Sequence, residues 1–289
     1  MSDHPATDLQ VGFMELGGRP VRYLRAGAGP AVLLLHPVGF SADLWLRNMR
    51  ELGRSFTVYA PDLYNHGFSA LVDYAGSVPQ DLFARQALAF ADAMGLQEMS
   101  VVGSSLGAHV AALVYFMAPH RVRRLVIVGS GTSFSSEAEL AGSLPNTYEN
   151  AMRAIESPTW EKCITRMRNL SFDLRDVPVE IILQQLTSYA RPGFRDAYDA
   201  TLKGMMDLDR VRPFRIAERL ARITIPTQII WGRQDPRSKV ENAISAAGQI
   251  PDCDLLVLEE CGHLPYLELP QAFNEAVARF LRGAPTDRG

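Results

Sequence analysis

The sequence predicts an α/β architecture: a mostly parallel, eight-stranded sheet flanked by helices, with a helical cap inserted after the sixth strand. Three observations predict it. Short apolar runs rich in Val, Ile and Leu recur without polar alternation, as strands buried on both faces do. Helix-period stretches separate them, which implies crossover connections within a parallel sheet. One interval, from about Ser133 to Ala221, holds no such run and is far too long for a plain loop.

The first element is a hairpin. Val11–Leu16 and Val21–Arg25 flank Gly17-Gly18, a pair that accepts positive φ without a Cβ penalty. The buried strands follow at Ala31–Leu35, Thr57–Ala60, Met99–Gly103, Leu125–Gly129, Thr227–Trp231 and Asp254–Leu258. Helical patterns lie at Asp81–Met94, Leu106–Phe116 and Gln271–Leu281. Within the long interval, helices are expected at Tyr148–Ile155, Thr159–Leu170, Val179–Tyr189 and Phe194–Met206, with Pro158, Pro178, Pro192 and Pro213 as breakers. The division is therefore residues 1–132 and 222–289 for the core and 133–221 for the cap. The tail from Gly283 is expected to fray.

A chain of 289 residues with 47% apolar and 21% charged side chains has the composition of an ordinary globular domain. Its net charge of −3 offers no electrostatic footprint for nucleic acid or an anionic membrane. The one basic cluster, His120 to Arg124, falls between a helix and a strand, where the helix dipole favours cations; it reads as structural. Three cysteines without a CxxC spacing argue against a disulfide framework or a structural zinc site. The N-terminus is polar, and no apolar run approaches the ~20 residues needed to span a bilayer. The expectation is a cytoplasmic protein acting on a small molecule, with neither membrane nor nucleic acid as a partner.

Gly103-Ser104-Ser105-Leu106-Gly107 matches G-x-S-x-G between a strand and a helix, the context in which this motif makes a nucleophile elbow. Ser105 would sit in a strained turn, its hydroxyl directed off the sheet, with the free N–H groups of a helix N-terminus beside it. Read alone, the motif is equally a tight strand-to-helix turn. A serine needs a base. His263, after the last strand in Cys261-Gly262-His263, is the candidate; in isolation it is a surface-loop histidine. Asp235, just beyond Thr227–Trp231 and before Pro236, would orient the imidazole; in isolation it is a turn aspartate. The order Ser105, Asp235, His263, each past the C-terminal end of a strand, joins three weak signals into one strong one. The oxyanion donors would be the N–H groups of Leu106 and Val38, since Pro37 has none. His36 would brace that loop, and Phe40 would line the acyl side of the pocket.

The segments LLLHPVGF, APDLYNHGFSA, GSSLG, IIWGRQDP and CGHLPYLE together resemble the α/β-hydrolase superfamily, specifically its capped serine hydrolases, over about Leu9 to Leu281. The resemblance implies the α/β-hydrolase fold and a structural role for Asp62, His66, Gly67 and Ser69. It leans two ways. One is toward carboxylesterases and enol-lactone hydrolases. The other is toward the carbon–carbon bond hydrolases that cleave ring-fission products, suggested by Leu170-Ser171-Phe172-Asp173, Arg191-Pro192-Gly193-Phe194 and Cys261-Gly262-His263. Against the second stand Ser104 where that group carries asparagine, Leu264 where it carries tryptophan, and Gln185 near the position of its cap arginine; Arg191 is the candidate substitute, although the preferred reading of it is a solvated cap arginine. His36-Pro37 also departs from the superfamily's usual His-Gly. Serine at the elbow excludes the dehalogenases and epoxide hydrolases, which use aspartate.

The expected reaction is acyl transfer to water on a medium-sized apolar or aromatic ester or lactone, with ring-fission carbon–carbon hydrolysis as the alternative. A cofactor-free oxygenase or a ligand receptor on the same fold are the rivals from other classes. No phosphate loop, dinucleotide fingerprint or metal-ligand cluster is present in the sequence, so no cofactor is expected. The substrate pocket would draw on Phe40, Ser104, Phe134, Trp160, Met167, Phe172, Gln185, Arg191, Phe194, Met205, Met206 and Leu264, although at helical spacing the aromatic and Met members are more often cap core than pocket. Exposed apolar surface on the cap would support a homodimer.

Overall fold

The computed structural model describes residues 8–174 and 177–283; of residue 132 and residues 143–146 only the backbone is described. The polar N-terminus up to residue 7 and the tail beyond Gly283 lie outside the described residues. Eight strands form one sheet in the order β1-β2-β4-β3-β5-β6-β7-β8. They are β1 (Gln10–Leu16), β2 (Arg19–Ala26), β3 (Ala31–Leu35), β4 (Thr57–Pro61), β5 (Met99–Ser104), β6 (Val122–Val128), β7 (Thr227–Gly232) and β8 (Cys253–Leu258). β1 pairs antiparallel with β2, and β2 antiparallel with β4; every pairing from β4 to β8 is parallel. Gly17 and Gly18 turn the hairpin at φ 58° and 75°.

The helices are α1 (Leu46–Leu52), α2 (Pro79–Ala93), α3 (Leu106–Met117), α4 (Gly131–Phe134), α5 (Glu137–Met152), α6 (Trp160–Arg168), α7 (Val179–Tyr189), α8 (Phe194–Met206), α9 (Leu208–Val211), α10 (Val240–Ala247), α11 (Pro265–Glu268) and α12 (Pro270–Leu281). Helices α4 to α9 lie between β6 and β7, and no strand interrupts them among the described residues. The unbroken apolar strands are explained by cover on both faces. Val32, Leu34, Val102, Val126 and Ile230 belong to one apolar cluster, with Met49 of α1 and Phe273, Val277 and Phe280 of α12. Leu33, Leu35, Val101, Leu125 and Ile229 belong to a second, with Phe83 and Phe90 of α2, Val110 of α3 and Ala243 of α10.

For the elements the sequence reading names, most departures are at the ends; α5 starts at Glu137 and not near Tyr148, and the short helices α1, α4, α9, α10 and α11 have no counterpart in that reading. Ser136 and Glu139 form a reciprocal capping box: Ser136 N–H donates to Glu139 Oε2 at 2.7 Å, and Glu139 N–H to Ser136 Oγ at 3.3 Å. That Ser-x-x-Glu spacing marks the helix start. Helices α1 and α10 span only 7 and 8 residues, too few for a periodic pattern. β6 begins within the basic cluster, whose members are tied down locally: Arg121 donates to Asp92 at 2.6 Å, and Arg124 lies over the Phe280 ring. All three cysteines are free. No helix among the described residues is long and apolar enough to cross a membrane.

The loop after β4 carries a buried polar network. Asp62 accepts from the N–H groups of Ala42 and Phe68, each at 2.8 Å, and from Arg22, which also grips Asp43. Ser69 Oγ donates to Asp62 O at 2.8 Å. His36 donates Nδ1–H to Pro37 O at 2.8 Å and accepts Leu63 N–H at Nε2 at 2.9 Å, which ties the end of β3 to this loop. Burial lowers the pKa of His36 from 6.5 to about 4, and burial together with the neighbouring His36 lowers His66 to about 3. Both therefore stay neutral in the folded protein where the unfolded chain takes up protons. The unfolded state binds more protons below pH 6.5, so stability falls as pH drops from 6.5 toward 4. Replacing His66 with the non-titrating glutamine is expected to reduce the slope of unfolding free energy between pH 6 and 5 by about 1 kcal/mol per pH unit. Urea denaturation of both proteins across that range checks this; equal slopes would refute it.

Candidate active site

In an open α/β sheet, ligands bind where successive crossovers run in opposite directions, outside the C-terminal ends of the strands. Here that point lies between β3 and β5: the chain leaves β3 for β4 on one side and returns to β5 on the other. The loop of residues 36–40 follows β3, and Ser105 follows β5.

Ser105 has φ 53° and ψ −115°, a region L-residues rarely occupy. The glycine frame explains why the turn closes. A Cβ on Gly103 would lie 2.2 Å from Gly107 O, and one on Gly107 would lie 2.0 Å from Leu35 O. The turn is anchored from β6: Ser105 N–H donates to Val128 O at 2.9 Å, and Ser130 Oγ donates to Ser105 O at 2.9 Å. Leu106 opens α3, and neither its N–H nor that of Val38 has a hydrogen-bond partner among the described residues.

His263 donates Nδ1–H to Asp235 Oδ2 at 2.7 Å; the Asp235 side chain is wholly buried. A carboxylate there fixes the tautomer, leaving Nε2 as the basic nitrogen. Gly129, at φ 52°, makes room for the ring: a Cβ there would stand 3.3 Å from His263 Nδ1. Glu268 holds the histidine loop by accepting the N–H groups of Gly262, Leu264 and Phe172 at 3.0, 3.1 and 2.7 Å. His263 N–H itself donates to Leu170 O at 2.7 Å. Sequence reasoning assigns no role to Gly129 or Glu268, although Glu268 closes the CGHLPYLE segment.

Ser105, Leu106, His263, Val38 and Phe40 open onto one cavity of about 590 Å³. Leu140, Leu170, Leu202, Met205, Met206 and Val211 supply apolar wall. Five cationic side chains also reach it, Arg153, Lys162, Arg166, Arg215 and Arg237, against the single carboxylate of Glu161 among the described residues. No hydrogen bond joins Ser105 Oγ to His263 among the described residues; the two side chains share the cavity. No group of three or more metal-ligating side chains occurs among the described residues.

Several expected pocket residues are elsewhere, and the sequence reading is corrected for each. Ser104 is fully buried and donates to Tyr266 Oη at 3.3 Å, behind the elbow. Leu264, Met167 and Phe194 are fully buried in the apolar core. Phe134 stacks on Trp231, with ring centroids 6.0 Å apart. Trp160 and Phe172 are on the surface, 38% and 49% exposed. Gln185 is buried in α7, its side-chain amide without a hydrogen-bond partner, and does not line the cavity. Arg191 donates to the carbonyls of Gly67 and Ser69 at 2.6 and 3.0 Å, so it ties the α7–α8 connection to the β4 loop. Apart from the exposed Trp160 and Phe172, each of these residues packs against protein where the pattern alone allowed a cavity.

The model of the Alpha/beta hydrolase family matches residues 32–276, most of the chain. The chain belongs to that family. It is 28% identical over 284 residues to a 2-hydroxy-6-oxononadienedioate/2-hydroxy-6-oxononatrienedioate hydrolase of Burkholderia vietnamiensis, covering 96% of each chain. It is 27% identical to a monoacylglycerol lipase of Xenopus laevis, covering 96% of this chain and 83% of the lipase. Among solved structures it resembles a serine hydrolase involved in carbazole degradation, with a TM-score of 0.79 and 26% identity over 95% of this chain and 99% of that one. The family and these hydrolase relatives make the protein an enzyme of hydrolytic type.

The strain at Ser105 is measurable. Replacement by glycine, which adopts this backbone freely, is expected to stabilise the fold by about 1 kcal/mol. Ser105→Ala keeps the strain and should stay within about 0.5 kcal/mol of wild type. Gly107→Ala, which drives a Cβ into Leu35 O, should destabilise by more than about 2 kcal/mol. Denaturation midpoints of the three variants check the order; a Ser105→Gly protein no more stable than Ser105→Ala would refute it.

Proposed function

We propose that the protein is a serine hydrolase that cleaves a carboxylic ester or lactone of a medium-sized apolar or aromatic substrate through an acyl-enzyme. One observation carries this reading: a strained serine, a carboxylate-oriented imidazole and two unpartnered backbone N–H groups open onto the same cavity. Ser105 Oγ attacks the substrate carbonyl while His263 Nε2 takes its proton. Asp235 stabilises the imidazolium. The N–H groups of Leu106 and Val38 receive the oxyanion, in a site where fixed donors need no reorganisation. His263 then returns the proton to the leaving group and draws one from water for deacylation.

The other histidines near the cavity support His263 as the base. His36 engages both ring nitrogens, with Pro37 O and Leu63 N. His109 engages Ser133 Oγ and Phe214 O, and burial lowers its pKa to about 4. Neither has a free nitrogen to serve Ser105.

A second reading is carbon–carbon bond hydrolysis of an anionic ring-fission product by the same site. It is favoured by the cation excess of the cavity and by the activity named for the Burkholderia vietnamiensis relative. Arg215 is ion-paired with Glu137 and Glu218, and the positive charge of the other four cations on the cavity wall favours a carboxylate-bearing ligand over a neutral ester.

Intact-mass analysis after fluorophosphonate treatment tests the shared chemistry. A single adduct is expected on the wild type and none on Ser105→Ala. Absence of the adduct on folded wild type would displace hydrolysis in favour of the oxygenase or receptor readings. With a substrate in hand, Ser105→Ala should lower kcat by roughly 10⁶ and Asp235→Asn by about 10⁴. Comparing kcat/KM for aryl esters, lactones and ring-fission dienoates then separates the two readings; a tenfold advantage for the dienoates would establish the second.

A further inference from the structure

The loop of residues 36–40 has three successive carbonyls, each held by a different part of the protein. Pro37 O accepts His36 Nδ1–H from within the core. Val38 O accepts from Arg166 Nη2 of α6 at 3.2 Å. Gly39 O accepts from the Tyr189 hydroxyl of α7 at 2.6 Å. In a trans peptide the N–H points opposite to the carbonyl of the same plane. The bond to Pro37 O therefore orients the Val38 N–H, and the bonds to Val38 O and Gly39 O lock the two planes that follow.

The contacts from the inserted helices are built closely. Gly39 has φ 76°, and a Cβ there would lie 2.4 Å from Arg166 Nη2 and 2.6 Å from Tyr198 Oη. The guanidinium lies 4.7 Å from the centre of the Phe40 ring. Among the described residues Arg166 has no carboxylate partner: its other hydrogen bonds go to Ala151 O at 2.9 Å and Tyr198 Oη at 3.4 Å. An arginine this enclosed and held only by carbonyls, a phenol and a ring is placed for geometry rather than for ion pairing.

We propose that Arg166 and Tyr189 are positioning residues for the oxyanion-binding loop, so that the Val38 donor is held in place by the inserted helices. The proposal rests on the reading of Ser105 as nucleophile. Tyr189 does not reach the cavity among the described residues, so its influence on turnover passes through Gly39. Arg166 does line the cavity, and its two roles are separable by kinetics. Loss of a transition-state donor lowers kcat and leaves KM; loss of a ground-state contact raises KM.

The test uses the full chain with p-nitrophenyl butyrate as the probe and an aryl trifluoromethyl ketone as the oxyanion mimic. Tyr189→Phe and Arg166→Lys are compared with wild type, with circular dichroism and unfolding midpoints as controls of folding. Expected is at least a tenfold fall in kcat for each variant, KM within twofold, and a parallel fall in affinity for the ketone. Should Arg166→Lys not fold, Tyr189→Phe decides alone, since it removes a single hydroxyl. Folded variants with kcat within twofold of wild type would overturn the proposal, as would a change in KM alone, which would assign Arg166 to substrate binding. In both cases the fluorophosphonate adduct at Ser105 of the wild type would still stand. A wild type that neither forms the adduct nor turns over the ester would overturn the nucleophile reading and this proposal with it.

Discussion

The arrangement around Ser105 depends on how closely three backbone segments approach one another. β5, the first turn of α3 and the end of β3 meet where Gly103 and Gly107 have no side chain, and any Cβ would overlap a carbonyl. That approach leaves Ser105 no relaxed conformation: the chain must reverse from strand to helix within one residue, which sets its φ at 53°. The cost is of order 1–3 kcal/mol, and the surroundings offset it. Apolar strands buried on both faces of the sheet hold β3 and β5 in register, and the hydrogen bonds to Val128 O and from Ser130 Oγ fix the residue from the end of β6. With the elbow fixed, the N-terminus of α3 points its free donors outward at the switch point of the sheet, the one place where two strand ends diverge and leave room for a ligand.

The helices between β6 and β7 do more than cover this opening. Leu170 O receives the His263 N–H, Phe172 N–H joins Gly262 and Leu264 on the Glu268 carboxylate, and Arg191 is bonded to the β4 loop. Arg166 and Tyr189 hold the loop after β3. Both loops of the site, the histidine loop and the 36–40 loop, thus take part of their backbone hydrogen bonding from the inserted segment. Loops carry unsatisfied donors and acceptors unless something outside them supplies partners. Displacing these helices would release those partners as well as open the cavity.

Much of this was legible in the sequence, and the reason is local. Strands buried on both faces must be continuous in Val, Ile and Leu, so Ala31–Leu35 and Thr227–Trp231 announce themselves. The glycines of Gly103-Ser104-Ser105-Leu106-Gly107 are demanded by sterics within five residues. Asp235 and His263 sit just past recognisable strands. The pocket wall was not legible. Helical period shows which face of α6 or α8 is apolar but not whether that face meets core or cavity, and Met167 and Phe194 went to core while Met206 went to the cavity. Arg166 was invisible for a related reason. It lies on the same stripe as Cys163 and Met167, three and one residues away, so it is turned inward; nothing within α6 tells that the carbonyl it meets belongs to a loop 128 residues earlier.

His36-Pro37 shows how such distant contacts compensate for a local change. Where the superfamily usually has glycine after the histidine, proline removes one N–H and fixes φ, which leaves the loop one fewer donor and one fewer freedom. The remaining peptides must then present Val38 N–H without help from their neighbour. Three carbonyl contacts in a row, from His36, Arg166 and Tyr189, supply that constraint from outside. The core histidine must be neutral to accept from Leu63 at one nitrogen while donating to Pro37 at the other, and its burial, which lowers its pKa to about 4, keeps it so at any pH near neutrality. Burial of His36 and the geometry of the Val38 donor are therefore linked: acid strong enough to protonate His36 would remove the Leu63 bond and loosen the loop from the core side, even with the inserted helices still seated.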